Sequence, residues 1–256
     1  MGGRVIALMA ETEGFELVGA IEAPGHPHLG DRVSHLYRVP WAGLKIEDDL
    51  AQVLPGADVV IEFSTPKATM EHFRLVSASG KAAVIGTTGL SPEDQKEIEK
   101  LASRVPCVLA PNMSVGVNLM LKLIAEAAQT FGPDYDVEIY EAHHRMKRDA
   151  PSGTALKLAE VIARALGRDL NRSAVYQRKG DVGPRSKEEI GIQAIRAGDI
   201  VGDHTVLFAG IGERLEIIHR AHSRDTFAKG ALRAARWVVN QPSGLYDMQD
   251  VLGLKG

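Results

Sequence analysis

Residues 58–89 read DVVIEFSTPKATMEHFRLVSASGKAAVIGTTG, and this stretch decides the predicted fold. It holds two short, nearly continuous apolar runs, at residues 58–63 and 81–85, and such runs are typical of strands buried on both faces. Between them, residues 65–77 form a predicted helix that Pro66 opens. A strand, a helix and a second strand at this spacing predict a βαβ unit and therefore a parallel sheet.

The same alternation continues on both sides of this unit. Upstream, we predict a helix at residues 4–12, a strand at 15–21, a polar stretch with Gly and Pro at 23–40, and a short helix at 48–54. Downstream, Ser91 and Pro92 begin a helix, and residues 106–109 form a further strand. Ligands of parallel sheets bind at the carboxyl ends of the strands. Those ends here are Glu22 and residues 63–65, 86–89 and 110–113.

The second half of the chain has a different pattern. Long helices are predicted at residues 115–130, 152–166 and 226–240, and strands at 137–142, 191–196, 204–208 and 214–221. Gly-containing turns at residues 197–199 and 210–212 join neighbouring strands, which favours a mixed or antiparallel sheet. We therefore predict an α/β protein with a Rossmann-like, parallel-sheet nucleotide domain and an α+β substrate domain. The first comprises residues 1–114 and 223–256, and the second residues 115–222.

The first residues of the chain look like the end of a glycine-rich, dinucleotide-binding turn. Glu22 lies 20 residues after Gly2, close to where the ribose-binding acid of such domains belongs. This spacing favours the interpretation that roughly a dozen residues, one strand and its loop, precede Met1. Without them, we expect poor stability and weak cofactor binding. The alternative is that the chain is complete and that Met1 begins a helix.

Composition restricts the classes of function. The chain has 256 residues and a formal net charge of −3, which disfavours a general nucleic-acid binder. Cys107 is the only cysteine, so neither an intramolecular disulfide nor a cysteine-rich zinc site can form. No stretch approaches the roughly 20 apolar residues of a membrane span, and the N-terminus lacks a signal-peptide pattern. We predict a soluble, cytoplasmic protein with no membrane partner.

The stretch that carries chemistry is EAHHRMKRDAPSGT, residues 141–154. Two histidines, two arginines and a lysine follow a predicted strand, and Ser152 then begins a helix whose free N–H groups form an anion cradle. Histidine moves protons near neutral pH, and the cations hold carboxylates. The alternative is a solvated basic loop before an ordinary helix start. A metal site is disfavoured, because adjacent histidines rarely contact one ion.

Together with other motifs, this stretch resembles the signature of the 4-hydroxy-tetrahydrodipicolinate reductase (dihydrodipicolinate reductase) family. The other motifs are GTTG at residues 86–89, APNMSVGVN at 110–118, RAGDIVGDH at 196–204, GERLE at 212–216 and HRAHSR at 219–224. The resemblance covers essentially the whole chain. It implies an NAD(P)H-dependent oxidoreductase of lysine and diaminopimelate biosynthesis that reduces a cyclic dicarboxylate, 4-hydroxy-tetrahydrodipicolinate, with loss of water. It also implies a homotetramer that assembles through the second domain.

The resemblance further implies roles for individual residues. His143 is the proton donor or acceptor. Lys147 is its partner in proton transfer, acting as the acid, and also binds a substrate carboxylate. The substrate-binding candidates are His144, Ser152, Gly153 and Thr154. The cofactor-binding candidates are Met1, Gly2, Glu22, Gly86, Thr87, Thr88, Ala110, Pro111, Asn112 and Met113, with Arg224 and Phe63 as further candidates.

The chain departs from the family pattern at the cofactor site. Only the last glycine of the three-glycine fingerprint, Gly2, is present. Ala23 stands where some members carry an arginine that meets the 2′-phosphate of NADPH, so NADH is favoured and dual use stays open. Two other hypotheses remain at this point: a related amino-acid dehydrogenase, and an inactive or binding-only remnant.

Overall fold

The computed structural model describes residues 1–255, which divide into two units. The first unit comprises Met1–Val115 and the segment from Arg224 onward, and the second comprises Gly116–Ser223. In chain order the elements are α1 (Gly2–Met9), β1 (Ala20–Ile21), α2 (Val33–Tyr37), β2 (Ile46–Glu47), α3 (Leu50–Val53), β3 (Val59–Glu62), α4 (Pro66–Ala78), β4 (Ala82–Ile85), α5 (Pro92–Ala102), β5 (Pro106–Leu109), α6 (Val115–Phe131), β6 (Asp136–His143), α7 (Gly153–Ala165), α8 (Leu170–Ser173), β7 (Ala174–Val175), β8 (Ile190–Arg196), β9 (Gly202–Ala209), β10 (Arg214–Ala221), α9 (Asp225–Val238), β11 (Gly244–Tyr246) and α10 (Met248–Val251).

The main sheet of the first unit is parallel, as predicted. Its strand order is β11-β5-β4-β3, and each neighbouring pair runs in the same direction. The helices between the strands begin as their sequences indicate. The Thr65 side chain caps α4, and Ser91 and Asp94 form a capping box at α5.

Two predicted strands of this unit differ from expectation. Residues 15–21 were predicted to be a strand, but only Ala20–Ile21 pairs, because its partner β2 is itself two residues long. Residues 58–63 were predicted to be buried on both faces. Three of the four residues of β3 are only partly buried, because β3 is the last strand of its sheet and one edge of it carries no ladder among residues 1–255.

Six short helices and strands were not predicted: α2, β2, α8, β7, β11 and α10. They lie in polar or brief segments whose local pattern is weak. β11 pairs in parallel with β5 and so adds a fourth strand that no periodicity in its three residues could indicate. Its position depends on its neighbour in the sheet, which is a tertiary contact.

Helix α9 packs very closely against the loop after β5. Most of its buried residues are small, and Ala231, Ala234 and Ala235 are almost fully buried. At Gly230 the approach is closest, because an added Cβ would lie 1.7 Å from the carbonyl oxygen of Met113. The helix can therefore occupy this position only with glycine there.

The second unit contains one five-stranded mixed sheet, in the order β10-β9-β6-β8-β7. β6 lies antiparallel to β9 and parallel to β8. The side chains of β6 alternate, so that every second residue contributes to the core formed with α6 and α7, in which Ile124, Ile139 and Leu158 are fully buried. Within residues 1–255, no helix combines the length and the apolar character needed to cross a lipid bilayer.

Candidate active site

Three predicted cofactor loops lie side by side at one edge of the first unit. β3, β4 and β5 are consecutive parallel strands, so the loops that follow Glu62, Ile85 and Leu109 leave the same edge of the sheet. This edge holds Phe63, Gly86, Thr87, Thr88, Ala110, Pro111, Asn112 and Met113. It is where ligands of open parallel sheets bind.

Some of these side chains are already occupied by contacts within the protein. The ring of Phe63 lies over Gly86, where an added Cβ would be 2.2 Å from Cε1 of Phe63. Thr87 is buried, and its hydroxyl accepts hydrogen bonds from the backbone N–H of Ser64 (3.1 Å) and from the hydroxyl of Thr69 (2.8 Å). Phe63 and Thr87 therefore connect the ends of β3 and β4.

The other cofactor candidates of this edge differ in their exposure to solvent. Thr88 and Pro111 are exposed, whereas Ala110 and Met113 are buried. Asn112 accepts a hydrogen bond from the backbone N–H of Ser114 at 2.9 Å, which fixes the loop before α6. The loop is thus ordered by its own contacts, with its outer residues exposed.

The remaining candidates of the first unit lie on other elements. Glu22 directly follows β1, is partly exposed, and accepts a hydrogen bond from the backbone N–H of Ala23. Met1 and Gly2 are exposed at the start of α1. Arg224 is exposed just before α9. The loop edge and Glu22 belong to separate sheets, because β1 pairs only with β2 among the described residues.

The centre of the site in the second unit is a carboxylate and an imidazole on β6. Glu141 and His143 are two residues apart and therefore point to the same face of the strand. The Nδ1 atom of His143 lies 2.6 Å from Oε2 of Glu141. The Glu141 side chain is fully buried, so this pair is shielded from water.

A third side chain, that of Arg196 at the end of β8, binds the Glu141 carboxylate. The parallel register places it opposite His143, and both of its terminal nitrogens donate to Glu141 at 2.8 Å. Burial acts to raise the pKa of the Glu141 carboxyl. Hydrogen bonds from Arg196, from His143 and from the backbone N–H of Ser152 outweigh that effect and hold the pKa below its usual value. Glu141 is therefore an ionised acceptor.

The imidazole of His143 is consequently held in one orientation, and its pKa is shifted downward. Burial lowers its pKa, and the hydrogen bond with Glu141 opposes this effect without overcoming it. A neutral imidazole beside an ionised carboxylate carries its proton on Nδ1 and leaves the lone pair on Nε2. The space in front of Nε2 is kept open by Gly202, where an added Cβ would lie 3.0 Å from that atom.

Lys147 lies in the turn after β6. Its Nζ donates to the Asp149 carboxylate at 2.9 Å, and this bond lowers the pKa of Asp149. The positive charge of Lys147 also helps to lower the pKa of His143, so the two side chains interact electrostatically. His144, between them in the chain, is partly buried.

The N-terminus of α7 forms the next part of the site. The Ser152 hydroxyl caps the helix by accepting from the backbone N–H of Ala155, and the backbone N–H of Ser152 donates to Glu141 at 3.0 Å. Gly153 is exposed, and an added Cβ there would meet no atom within 4 Å. Thr154 is partly buried in the first turn. The positive end of the α7 dipole thus lies beside the Glu141–His143 pair.

Comparisons with known proteins agree with this geometry. Sequence profiles for dihydrodipicolinate reductase match residues 1–113 (its N-terminus) and 116–252 (its C-terminus). A 4-hydroxy-tetrahydrodipicolinate reductase from Syntrophus aciditrophicus (strain SB) is 55% identical over 255 residues, which are 100% of this chain and 95% of that protein. The chain belongs to the dihydrodipicolinate reductase family.

Further relatives support the same family. A 4-hydroxy-tetrahydrodipicolinate reductase from Syntrophobacter fumaroxidans is 56% identical, over 100% of this chain and 96% of that protein. The structure of a dipicolinate-bound dihydrodipicolinate reductase from Paenisporosarcina sp. TG-14 is 27% identical, with a TM-score of 0.77 over 97% of this chain and 94% of that one. The predicted family and fold class are therefore confirmed, and the hypothesis of a related amino-acid dehydrogenase loses its support.

Within this reductase family member, the structure adds residues to which the sequence assigned no role. Glu141, Arg196 and Gly202 surround His143, and His204 on β9 lies directly opposite Glu141 on β6. The Nε2 atom of His204 is 3.2 Å from the Ser152 hydroxyl, and its ring meets His143 edge-on with centroids 5.2 Å apart. The sequence could have indicated the role of Glu141, because it precedes His143 by two positions on one strand and therefore lies on the same face. Arg196, Gly202 and His204 lie in the RAGDIVGDH motif, but the motif did not indicate their roles, because only sheet register places them beside His143.

Acid should destabilise this reductase through His204, and His204→Gln should reduce that effect. Burial, with a further contribution from the charge of His143, lowers the pKa of His204 to about 4. A folded-state pKa below the unfolded value means that stability is complete above about pH 6.5 and is lost as pH falls towards 4, by at most roughly 3 kcal/mol. Urea unfolding at pH 7.5 and 5.0 measures the loss.

His35→Gln, on an exposed position, is the control. Equal losses in wild type and His204→Gln would contradict the prediction.

No cluster of three His, Cys, Asp or Glu side chains with metal-binding geometry occurs among residues 1–255. The histidines of the site instead contact Glu141, Ser152 and each other.

Proposed function

We propose that the protein catalyses the NAD(P)H-dependent reduction of 4-hydroxy-tetrahydrodipicolinate to (S)-2,3,4,5-tetrahydrodipicolinate, in lysine and diaminopimelate biosynthesis. The substrate loses its hydroxyl group as water, and a hydride and a proton are added to ring carbons. NAD(P)H becomes NAD(P)⁺, so the reaction consumes one NAD(P)H and one proton. Membership of the reductase family over the full chain supports this assignment.

The observation that carries the proposal is the orientation of His143. Its Nδ1 is bound by the buried Glu141 carboxylate, and its Nε2 faces the space that Gly202 leaves open. A general acid–base needs one nitrogen fixed and the other directed at the reacting atom. We assign proton exchange with the substrate to Nε2 of His143. The Glu141 carboxylate stabilises the imidazolium whenever the ring is charged.

Positive groups around His143 suit a dicarboxylate. We assign one carboxylate to the N-terminus of α7, through Gly153 and Thr154, because a helix N-terminus presents N–H groups and a positive dipole end. Lys147 and His144 are assigned to the other carboxylate or to the imine nitrogen. The backbone N–H of Ser152 already donates to Glu141, and its hydroxyl lies 3.2 Å from Nε2 of His204, so Ser152 acts by orienting these groups.

The dinucleotide is assigned to the first unit, Met1–Val115 with the C-terminal segment. The exposed outer residues of the β4 and β5 loops and the partly exposed Glu22 carboxylate fit a ligand with ribose hydroxyls and a planar ring. Thr88, Pro111 and Asn112 would hold the nicotinamide end, and Glu22 the adenosine ribose. Phe63, Gly86 and Thr87 support the loops from beneath. The bound dihydronicotinamide supplies the hydride.

We propose a preference for NADH, and Ala23→Arg should shift it towards NADPH. Ala23 is exposed beside Glu22, so an arginine fits there and can pair with a 2′-phosphate. The ratio of kcat/KM for NADPH to that for NADH should rise by about tenfold, equivalent to about 1.4 kcal/mol. Steady-state assays with both cofactors measure the ratio. Ala23→Gln, which adds length without charge, is the control, and an equal shift in that variant would contradict the prediction.

The experiment that tests the function is oxidation of NADH or NADPH in the presence of freshly generated 4-hydroxy-tetrahydrodipicolinate, with identification of the product by mass spectrometry. Consumption of cofactor and formation of tetrahydrodipicolinate in equal amounts is expected. Amino acids and 2-oxo acids are the substrate controls. Cofactor oxidation with these controls but not with the cyclic dicarboxylate would overturn the assignment. Tight binding of the dicarboxylate without turnover would indicate a binding-only protein.

We further propose that the enzyme is a cytoplasmic homotetramer that assembles through the second unit. The face of its sheet opposite α6 and α7 exposes Tyr140, Ile195 and Ile218, which are 38–50% exposed. Exposed apolar side chains on one sheet face mark association surfaces. The single free cysteine, Cys107, agrees with a reducing compartment. The mass in solution, measured by light scattering, tests the assembly.

A further inference from the structure

A cavity lies in the second unit, away from the histidine site. It lies at the C-terminal ends of α6 and α7, and its volume is about 240 Å³. The lining residues are Ala128, Gln129, Gly132, Pro133, Ala165, Leu166, Arg168 and Glu188. None of them takes part in the contacts of His143, Lys147 or Ser152. A volume of this size suits a molecule as small as an amino acid.

One charged side chain in this cavity is buried and poorly paired. The Arg168 side chain is only 4% exposed, and its one ionic partner among residues 1–255 is Glu188, whose Oε2 lies 3.3 Å from Nε. Its Nη1 atom is buried and has no hydrogen-bond partner among the described residues. A buried guanidinium normally uses most of its five N–H donors. The single long contact leaves much of this requirement unmet.

The position of Arg168 is fixed by its backbone. Gly167 follows the end of α7 with φ +66°, and the N–H of Arg168 donates to the Ala163 carbonyl at 2.8 Å. This is the Schellman arrangement that ends helices. The side chain therefore starts from a rigid turn, and its burial is part of the fold.

The opposite charges of Arg168 and Glu188 determine which kind of ligand the cavity can bind. Arg168 favours an anionic group whose two oxygens match its planar fork, such as a carboxylate. The Glu188 side chain is 72% exposed and can turn to meet a cation. A ligand with a carboxylate alone would be repelled by Glu188, whereas a ligand carrying both charges would replace one long ion pair with two closer ones.

We infer that this cavity is a second small-molecule site, which binds an amino-acid zwitterion with its carboxylate on Arg168 and its ammonium group on Glu188. The carbonyl groups at the ends of α6 and α7 add a negative dipole potential that also favours the ammonium group. The site goes beyond the proposed reductase activity and does not depend on it.

Isothermal titration calorimetry on the full chain tests the site, with glycine and L-alanine as probes. We expect one saturable site per chain with a dissociation constant of about 1 mM, equivalent to about −4 kcal/mol. Acetate and methylammonium, which each carry one of the two charges, should bind at least about tenfold more weakly. The variant His143→Ala should bind glycine like the wild type, which separates this site from the proposed active site.

Two variants distinguish a ligand site from a structural ion pair. Arg168→Met should abolish glycine binding while leaving Tm unchanged or raised, because an apolar side chain replaces an underpaired buried charge. Arg172→Met changes an arginine that is 88% exposed and should leave the dissociation constant unaltered. The inference is overturned if wild type shows no saturable binding, if acetate binds as tightly as glycine, or if Arg168→Met keeps its affinity for glycine.

Discussion

Replacing His143 by alanine is expected to lower kcat about 10²- to 10⁴-fold, the range that a positioned general acid–base side chain contributes. The substitution removes the Nε2 atom to which proton exchange is assigned, while Glu141 and Arg196 retain their own bidentate pair. Cofactor binding is assigned to the first unit, so the dissociation constant for NADH should change by less than about twofold. Stopped-flow turnover and NADH fluorescence titration measure the two quantities.

Gly202→Ala extends this prediction without touching the imidazole. Its methyl group would stand 3.0 Å from Nε2 of His143, so turnover should fall although the His143–Glu141 hydrogen bond persists. Gly43→Ala, at a position where a Cβ meets no atom within 4 Å, is the matched control. If His143→Ala lost NADH affinity while turnover per bound cofactor stayed unchanged, His143 would belong to cofactor binding and the assigned chemistry would be wrong.

Gly230→Ala is expected to destabilise the first unit by about 3 kcal/mol or more, a value typical of severe overpacking. Alanine normally favours a helix by about 1 kcal/mol over glycine. Here its Cβ would lie 1.7 Å from the Met113 carbonyl oxygen, and neither backbone can yield without moving α9 from the sheet. The movement would also displace Met113, so NADH binding should weaken together with stability.

Chemical denaturation of Gly230→Ala measures this loss, and Lys229→Ala provides the control. Lys229 is the preceding residue of α9 and is exposed, so the same new side chain should change the free energy of unfolding by less than about 0.5 kcal/mol. A Gly230→Ala variant as stable as wild type would show that α9 does not approach Met113 so closely.

Much of the architecture followed from local patterns. The apolar runs of residues 81–85 and 106–109 predicted β4 and β5, and the alternation of residues 137–142 predicted β6. Helices α4 and α5 were predicted from Pro66 and Pro92 in their first turns, and the predicted Ser91 cap of α5 is present, as part of a capping box with Asp94. These features are confirmed because periodicity and capping act within a few residues of the chain.

The strand predictions were wrong where the extent or position of a strand depends on pairing with a distant segment. Residues 15–19 have a strand-like composition but no partner in a ladder among the described residues. β3 has the composition of a central strand and lies at the end of its sheet. β11 has almost no pattern, yet it pairs with β5. Backbone hydrogen-bond partners come from distant segments, so composition alone cannot supply them.

The sequence by itself determined the α/β class, the family and the segment that carries the proposed chemistry, because the residues of that segment are contiguous. Only the tertiary structure decided the environment of that segment. Arg196 binds Glu141 from 55 positions away, and Ser152 meets His204 across 52 positions. Gly202 and Gly230 have their roles solely through backbone or side-chain atoms that pack against them. Sheet register and close packing bring such residues together, and neither is encoded in a local pattern.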